Sequence, residues 1–143
     1  MITDELLDMI ARHECIGGKP NLKAYRDTEG IWTIGYGHNI QDKPIRAGAA
    51  RQIFIDDVDD AISDCIHSFP WFMELTKERQ YAVVDMMFNL GMPRLKRFTM
   101  FLKAMELGNY ETASIEMLNS LWAKQVKGRA LELAAMIRGS SEV

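Results

Sequence analysis

The chain has 143 residues, the length of one ordinary domain, and 48% of them are hydrophobic, enough to build one core. A formal net charge of -3 and a pI near 5.6 argue against a nucleic-acid partner, which leaves a basic footprint, and against strong capture by anionic polymers. Two cysteines are too few for a disulfide framework, the three histidines are scattered without zinc spacing, and no repeat or low-complexity tract interrupts the chain.

The start, Met1-Ile2-Thr3-Asp4-Glu5, lacks a basic n-region, and no apolar run approaches a membrane span. Neither an export signal nor stable membrane insertion is expected. Thr3 can cap a first helix whose opening turn carries Asp4 and Glu5. Leu7, Ile10, Ala11 and Glu14 then fall on one face, and Gly17, Gly18 and Pro20 stop the helix. From Leu22 to Ile40 the residue types change to strand formers. Asp27-Thr28-Glu29-Gly30 reads as a turn between two short strands, with Gly35 and Gly37 marking a bend or a close backbone approach.

Everything afterwards reads as helix. Ile53, Val58, Ala61, Ile62, Cys65 and Ile66 give one amphipathic helix with Asp56, Asp57, Asp59 and Asp60 outside, ended by Pro70. Thr76 can cap the next, which runs to Leu90 and stops at Gly91. Its residues Tyr81, Val83, Val84, Met86, Met87 and Phe88 predict burial on nearly all sides. Arg94, Lys96 and Arg97 read as a solvated loop cluster. Helices are expected over Thr99–Leu107, from an Asn109 cap to about Leu118, and over Ser120–Arg138 with a break near Gly128 and a stop at Gly139. The ten methionines read mostly as core filler, and both cysteines as free thiols.

The predicted architecture is α+β and mostly α: a small hairpin lobe (about 17–45) set into a helical lobe (1–16 and 46–143) of one domain, 1–143. A cleft between two such lobes is the expected ligand site.

Two carboxylates stand out. Glu14 lies on an apolar helix face in the last turn, where burial and the helix dipole both disfavour charge, so it can serve as a general acid. From position alone, a helix-end glutamate that simply reaches water or pairs with a base is the commoner case. Asp27 heads a turn, where aspartate is common for local hydrogen-bonding reasons. Thr33 is an ordinary strand residue, and His38 reads as a structural ion-pair partner, with Asp57 a reasonable mate. Two acids in contrasting environments are what glycoside cleavage needs.

The joint pattern, Tyr25-x-Asp27-Thr28-Glu29-Gly30-x-x-Thr33-Ile34-Gly35-x-Gly37-His38 after Glu14, resembles the phage-type lysozymes. Pro70-Trp71, Val84 to Gly91, Phe98, Ser120 to Ala123 and Arg129 continue the resemblance in order over nearly the whole chain. It implies a lysozyme-like fold and an endolysin muramidase. Such enzymes cleave the β-1,4 bond between N-acetylmuramic acid and N-acetylglucosamine in peptidoglycan. By the match, Glu14 protonates the leaving oxygen, Asp27 is the second carboxylate and Thr33 helps hold the attacking water. The family is read as inverting, which needs carboxyls roughly 6.5–9.5 Å apart.

Gly37, Asn39, Phe88 and Ser120 match sugar-lining positions, although a bend, a strand terminator, a core residue and a helix cap describe them as well. His38 and Arg129 match supporting positions, Arg129 beside the acid. No cofactor or metal is implied. A monomer is the default expectation. The resemblance implies a protein that waits in the host cytoplasm, is released with the help of a holin, and acts on the periplasmic cell wall.

The chain departs from the family in two places. Cys15 stands where a glycine commonly follows the acid. The twelve residues between Glu14 and Asp27 exceed the usual spacing, at an entropic cost under about 1 kcal/mol. The competing readings are a catalytically silent peptidoglycan-binding or phage structural module, a lytic transglycosylase, which usually lacks the second carboxylate, and a helical DNA-binding domain, which the acidic balance disfavours.

Overall fold

Thr3 caps the first helix as its sequence suggests, accepting from the Leu6 amide at 3.2 Å. The structure, a computed structural model, describes residues 1–139, so the last four residues of the expected 1–143 domain lie outside it. Helix α1 spans Asp4–Glu14 and ends at Cys15, whose backbone is extended. The additional residues before the hairpin fold into a short 3-10 turn, Ile16–Gly18. Gly17 and Gly18 take φ of 66° and 71° there, a region that favours glycine.

Three antiparallel strands follow in the order β1-β2-β3: β1 Asn21–Arg26, β2 Trp32–Gly35 and β3 His38–Asn39. Tyr25 lies opposite Thr33, and Thr33 opposite Asn39. The sequence predicted two strands. The third is two residues long, too short to carry a period. Its turn needs positive φ at both Gly35 and Gly37, so the expected bend is a second hairpin.

The chain divides into two compact units, Met1–Arg51 and the residues from Gln52 onward. The first helix therefore groups with the hairpin, whereas the sequence reading assigned it to the helical lobe. Helix α2, Ala47–Ser68, runs from one unit into the other and buries only Ala61 and Cys65. With half-buried Val58 they form a stripe at spacings of three and four, narrower than predicted. Ile53, Ile62 and Ile66 are exposed.

The second unit is built around α3, Lys77–Leu90, capped by Thr76 as expected. Ala82, Val83, Met86, Met87 and Leu90 are buried, but Tyr81 and Phe88 are exposed, so the helix is not covered on all sides. Of the basic cluster, Lys96 and Arg97 lie in a turn as expected, while Arg94 is helical. Met92–Leu95 forms the short helix α4, with Pro93 in its first turn, where proline is tolerated. Then come α5 Thr99–Glu106, α6 Tyr110–Leu118, α7 Leu121–Val126 and α8 Gly128–Arg138. Asn109 and Ser120 cap α6 and α7 with their side chains.

The break predicted near Gly128 falls at Lys127, which takes φ 50°. The core joins Phe101, Met105, Met117, Trp122, Leu133 and Ile137 to α3. Four methionines (Met86, Met87, Met105, Met117) are buried in it, while Met9, Met73 and Met100 are exposed.

Candidate active site

The first unit holds Glu14, Asp27, Thr33, Gly37, His38 and Asn39 together. Asp27 closes the β1–β2 turn. Its Oδ1 accepts from the Glu29 amide at 2.8 Å and the Ile31 amide at 2.9 Å, and its own amide donates to the Ile31 carbonyl at 2.9 Å. The turn explanation for Asp27 is thus correct as far as it goes. Both bonds use one oxygen, and the second has no partner among the described residues. The side chain is fixed in direction, with one acceptor oxygen left over.

Thr33 is 4% exposed. Its hydroxyl donates to the Ile31 carbonyl at 2.9 Å, so only its lone pairs remain for another donor. Facing pairs in an antiparallel ladder share a side, and residues two apart share it too. Tyr25, Asp27 and Thr33 therefore belong to one face of the hairpin.

Glu14 is the last residue of α1. The desolvation argued from its sequence position is absent, because α1 buries no residue and Glu14 itself is exposed. Its carboxyl lies against the β2–β3 turn instead. Oε2 is 3.0 Å, and Cδ 3.5 Å, from the point where a Cβ on Gly37 would stand. The neighbouring Cys15 thiol donates to the Gly35 carbonyl at 3.8 Å, on the same turn. Sequence reasoning did not find this seat, because only the tertiary fold brings positions 14–15 to 35–37. The two glycines were its one visible trace.

Asn39 and His38 have local duties. The Asn39 Oδ1 accepts from the Gln41 and Asp42 amides at 3.0 Å each, and its Nδ2 donates to Asp42 at 3.2 Å. The His38 Nε2–H donates to the Lys43 carbonyl at 3.0 Å, a partner in its own unit; Asp57, the mate expected for it, belongs to the other unit.

In the second unit, Phe88 and Arg129 line one hollow of about 390 Å³ with Phe54, Tyr81, Val84 and Asp85. The Phe88 ring meets Phe54 edge-on at 5.8 Å. Arg129 donates from Nε to Asp85 at 2.7 Å, and its terminal nitrogen lies 2.7 Å from the same oxygen. That pairing has no trace in the order of residues. Ser120 lies elsewhere, in a smaller hollow of about 230 Å³ beside Phe98. It caps α7 and donates to the Met117 carbonyl at 2.7 Å. Trp122 is held by a bond from its indole N–H to Asn89 at 2.7 Å. Among the described residues no group of His, Cys, Asp or Glu is placed to hold a metal ion, and no helix is long and apolar enough to cross a membrane.

A first helix, a small antiparallel sheet and then helices throughout place the protein in the lysozyme-like α+β class. The sequence model of the family described as phage lysozyme matches residues 17–140, and the chain belongs to that family. The match begins just after Glu14.

Among its relatives, the pre-baseplate central spike protein Gp5 of Enterobacteria phage T4 is 31% identical, over 92% of this chain and 27% of its own length. The chain thus spans about a quarter of that relative. An endolysin of Acyrthosiphon pisum secondary endosymbiont phage 1 is also 31% identical, over 96% of this chain and 90% of its own. A probable T4-type lysozyme of Dictyostelium discoideum is 26% identical, over 81% and 85%.

Proposed function

We propose that the protein is a muramidase of the endolysin type, a glycoside hydrolase that cuts the β-1,4 bond between N-acetylmuramic acid and N-acetylglucosamine in peptidoglycan. One observation carries the reading. A fixed carboxylate, a threonine offering only acceptor lone pairs and a second carboxyl seated on the neighbouring turn all belong to one compact unit of the chain.

Glu14 gives its proton to the glycosidic oxygen as the bond to the sugar breaks. A water attacks the anomeric carbon, oriented by the Thr33 hydroxyl and the spare oxygen of Asp27, and Asp27 accepts its proton. Inversion is proposed by the likeness to the family, and it requires carboxyls roughly 6.5–9.5 Å apart rather than about 5–5.5 Å. Gly37, Asn39, Phe88 and Ser120 are proposed as sugar contacts by their match to the family. Release through a holin and a monomeric state complete the proposal.

The test is clearing of chloroform-treated Gram-negative cells. Glu14→Gln is expected to abolish clearing with its thermal unfolding curve unchanged, and clearing at the wild-type rate would remove Glu14 from the mechanism. The product anomer tests inversion. Proton NMR of a soluble peptidoglycan oligomer should show the α-anomer appearing first, and an initial β-anomer would mean retention.

The match to a spike protein favours a second reading, a lysozyme-family module carried as part of a phage structural protein. A purified chain that binds peptidoglycan but releases no sugar ends would support the silent form of that reading.

A further inference from the structure

We infer that Gly37 is a positioning residue for the general acid: its bare Cα is the wall against which the Glu14 carboxyl rests. The inference rests on the muramidase reading and adds a role to a position otherwise taken as a sugar contact.

A Cβ at Gly37 would stand 3.0 Å from Glu14 Oε2, 3.5 Å from Cδ and 3.7 Å from Cβ. These three contacts follow the side chain from its root to its tip, so the glycine faces its whole length. Gly37 also takes φ 79°, as the turn requires. Residue 15 reaches the same turn independently, through the Cys15 thiol on the Gly35 carbonyl at 3.8 Å. The end of α1 is thus held on the turn at two adjacent residues, which fixes where the Glu14 side chain begins. Gly37 then limits where it ends.

The physical consequence separates stability from catalysis. An added methyl meets the far end of a flexible, exposed side chain, which can swing away by a few tenths of an ångström at little cost to the fold. Such a shift uses up much of the roughly 0.5 Å within which a working group must be held, so the chemical step should suffer more than the fold. Gly37→Ala should therefore leave the protein folded and slow the chemical step.

The experiment compares Gly37→Ala with Gly108→Ala on a soluble peptidoglycan oligomer. Gly108 takes φ 71°, with nothing within 4 Å of an added Cβ, and it joins α5 to α6 at none of the candidate positions. Both variants carry the backbone strain of a left-handed alanine, and only one touches the acid. Gly37→Ala is expected to lower kcat roughly tenfold with KM within about twofold of wild type, whereas Gly108→Ala keeps both.

A double-variant cycle supplies the second readout. Glu14→Asp shortens the side chain and removes the clash, so adding Gly37→Ala to it should cause little further loss. Wild-type kcat in Gly37→Ala overturns the inference. So does a loss confined to KM, which would make Gly37 a sugar contact only, or a full additional loss in the double variant. A wild-type chain that cuts no peptidoglycan overturns the muramidase reading and this inference with it.

Discussion

Asp27 serves two purposes, and substitution separates them. Asparagine keeps an acceptor oxygen for the Glu29 and Ile31 amides, so Asp27→Asn should fold normally and lose most activity. Asp27→Ala also leaves the two amides without their acceptor, and urea denaturation should show a further cost of about 1–2 kcal/mol. Equal stability of the two variants would show that the turn bonds contribute nothing.

The cysteines differ in the same residue-level way. Burial, and then the neighbouring Asp64, push the Cys65 thiol up to about 12 from 9.0. The unfolded chain therefore loses this proton first, and the contribution of Cys65 to stability is intact below pH 9 and declines as pH rises from 9 toward about 12. A Cys65→Ala variant should lose less stability than wild type between pH 8 and pH 10.5. Matching losses would contradict this. At pH 8 a thiol reagent should modify half-buried Cys15 in the folded protein and reach Cys65 only after unfolding.

At the scale of elements, the ends of helices were the most legible features of the sequence. Thr3, Thr76, Asn109 and Ser120 all form the side-chain caps expected of them, because a cap needs only its own few residues. The missed strand β3 and the missed α-helix α4 are two and four residues long and carry no period. Which face of a helix is covered was also not legible. Tyr81 and Phe88 look like core by type, but the packing of α3 turns them outward.

The clearest tie between elements was invisible in the sequence. The Arg79 guanidinium donates to the Ile137 carbonyl at 2.6 Å and the Arg138 carbonyl at 2.9 Å, and lies 3.7 Å over the Tyr110 ring. It joins α3 to the end of α8, where a cation suits the helix dipole. Arg79→Ala should cost about 1–3 kcal/mol in a thermal or urea melt. Arg79→Lys should recover only part of it, since an ammonium cannot match the planar fork. A silent Arg79→Ala would remove this bond pair from the account of stability.

For the molecule as a whole, the fold class was readable from one change of pattern, strand formers over Leu22–Ile40 followed by helix signals to the end. The composition of the core was readable in outline. Met86, Met105 and Met117 are buried with Phe101 and Ile137, as filler residues would be. Met117→Leu should cost under about 1.5 kcal/mol, and Met117→Ala about 2–5 kcal/mol.

The sequence offered the candidate site as a set of residue types in order, and the family description and the endolysin relative agree with the lysozyme activity those types suggest. Its internal geometry was not legible. The sequence left Glu14 between a buried setting and a helix end that reaches water, and the folded chain gives it an exposed seat on a glycine turn. Mass spectrometry of sugar ends from purified peptidoglycan decides whether the protein is a muramidase. The account requires reducing N-acetylmuramic acid ends from the wild-type chain and none from Glu14→Gln. Anhydro ends, or equal product from both proteins, would contradict it.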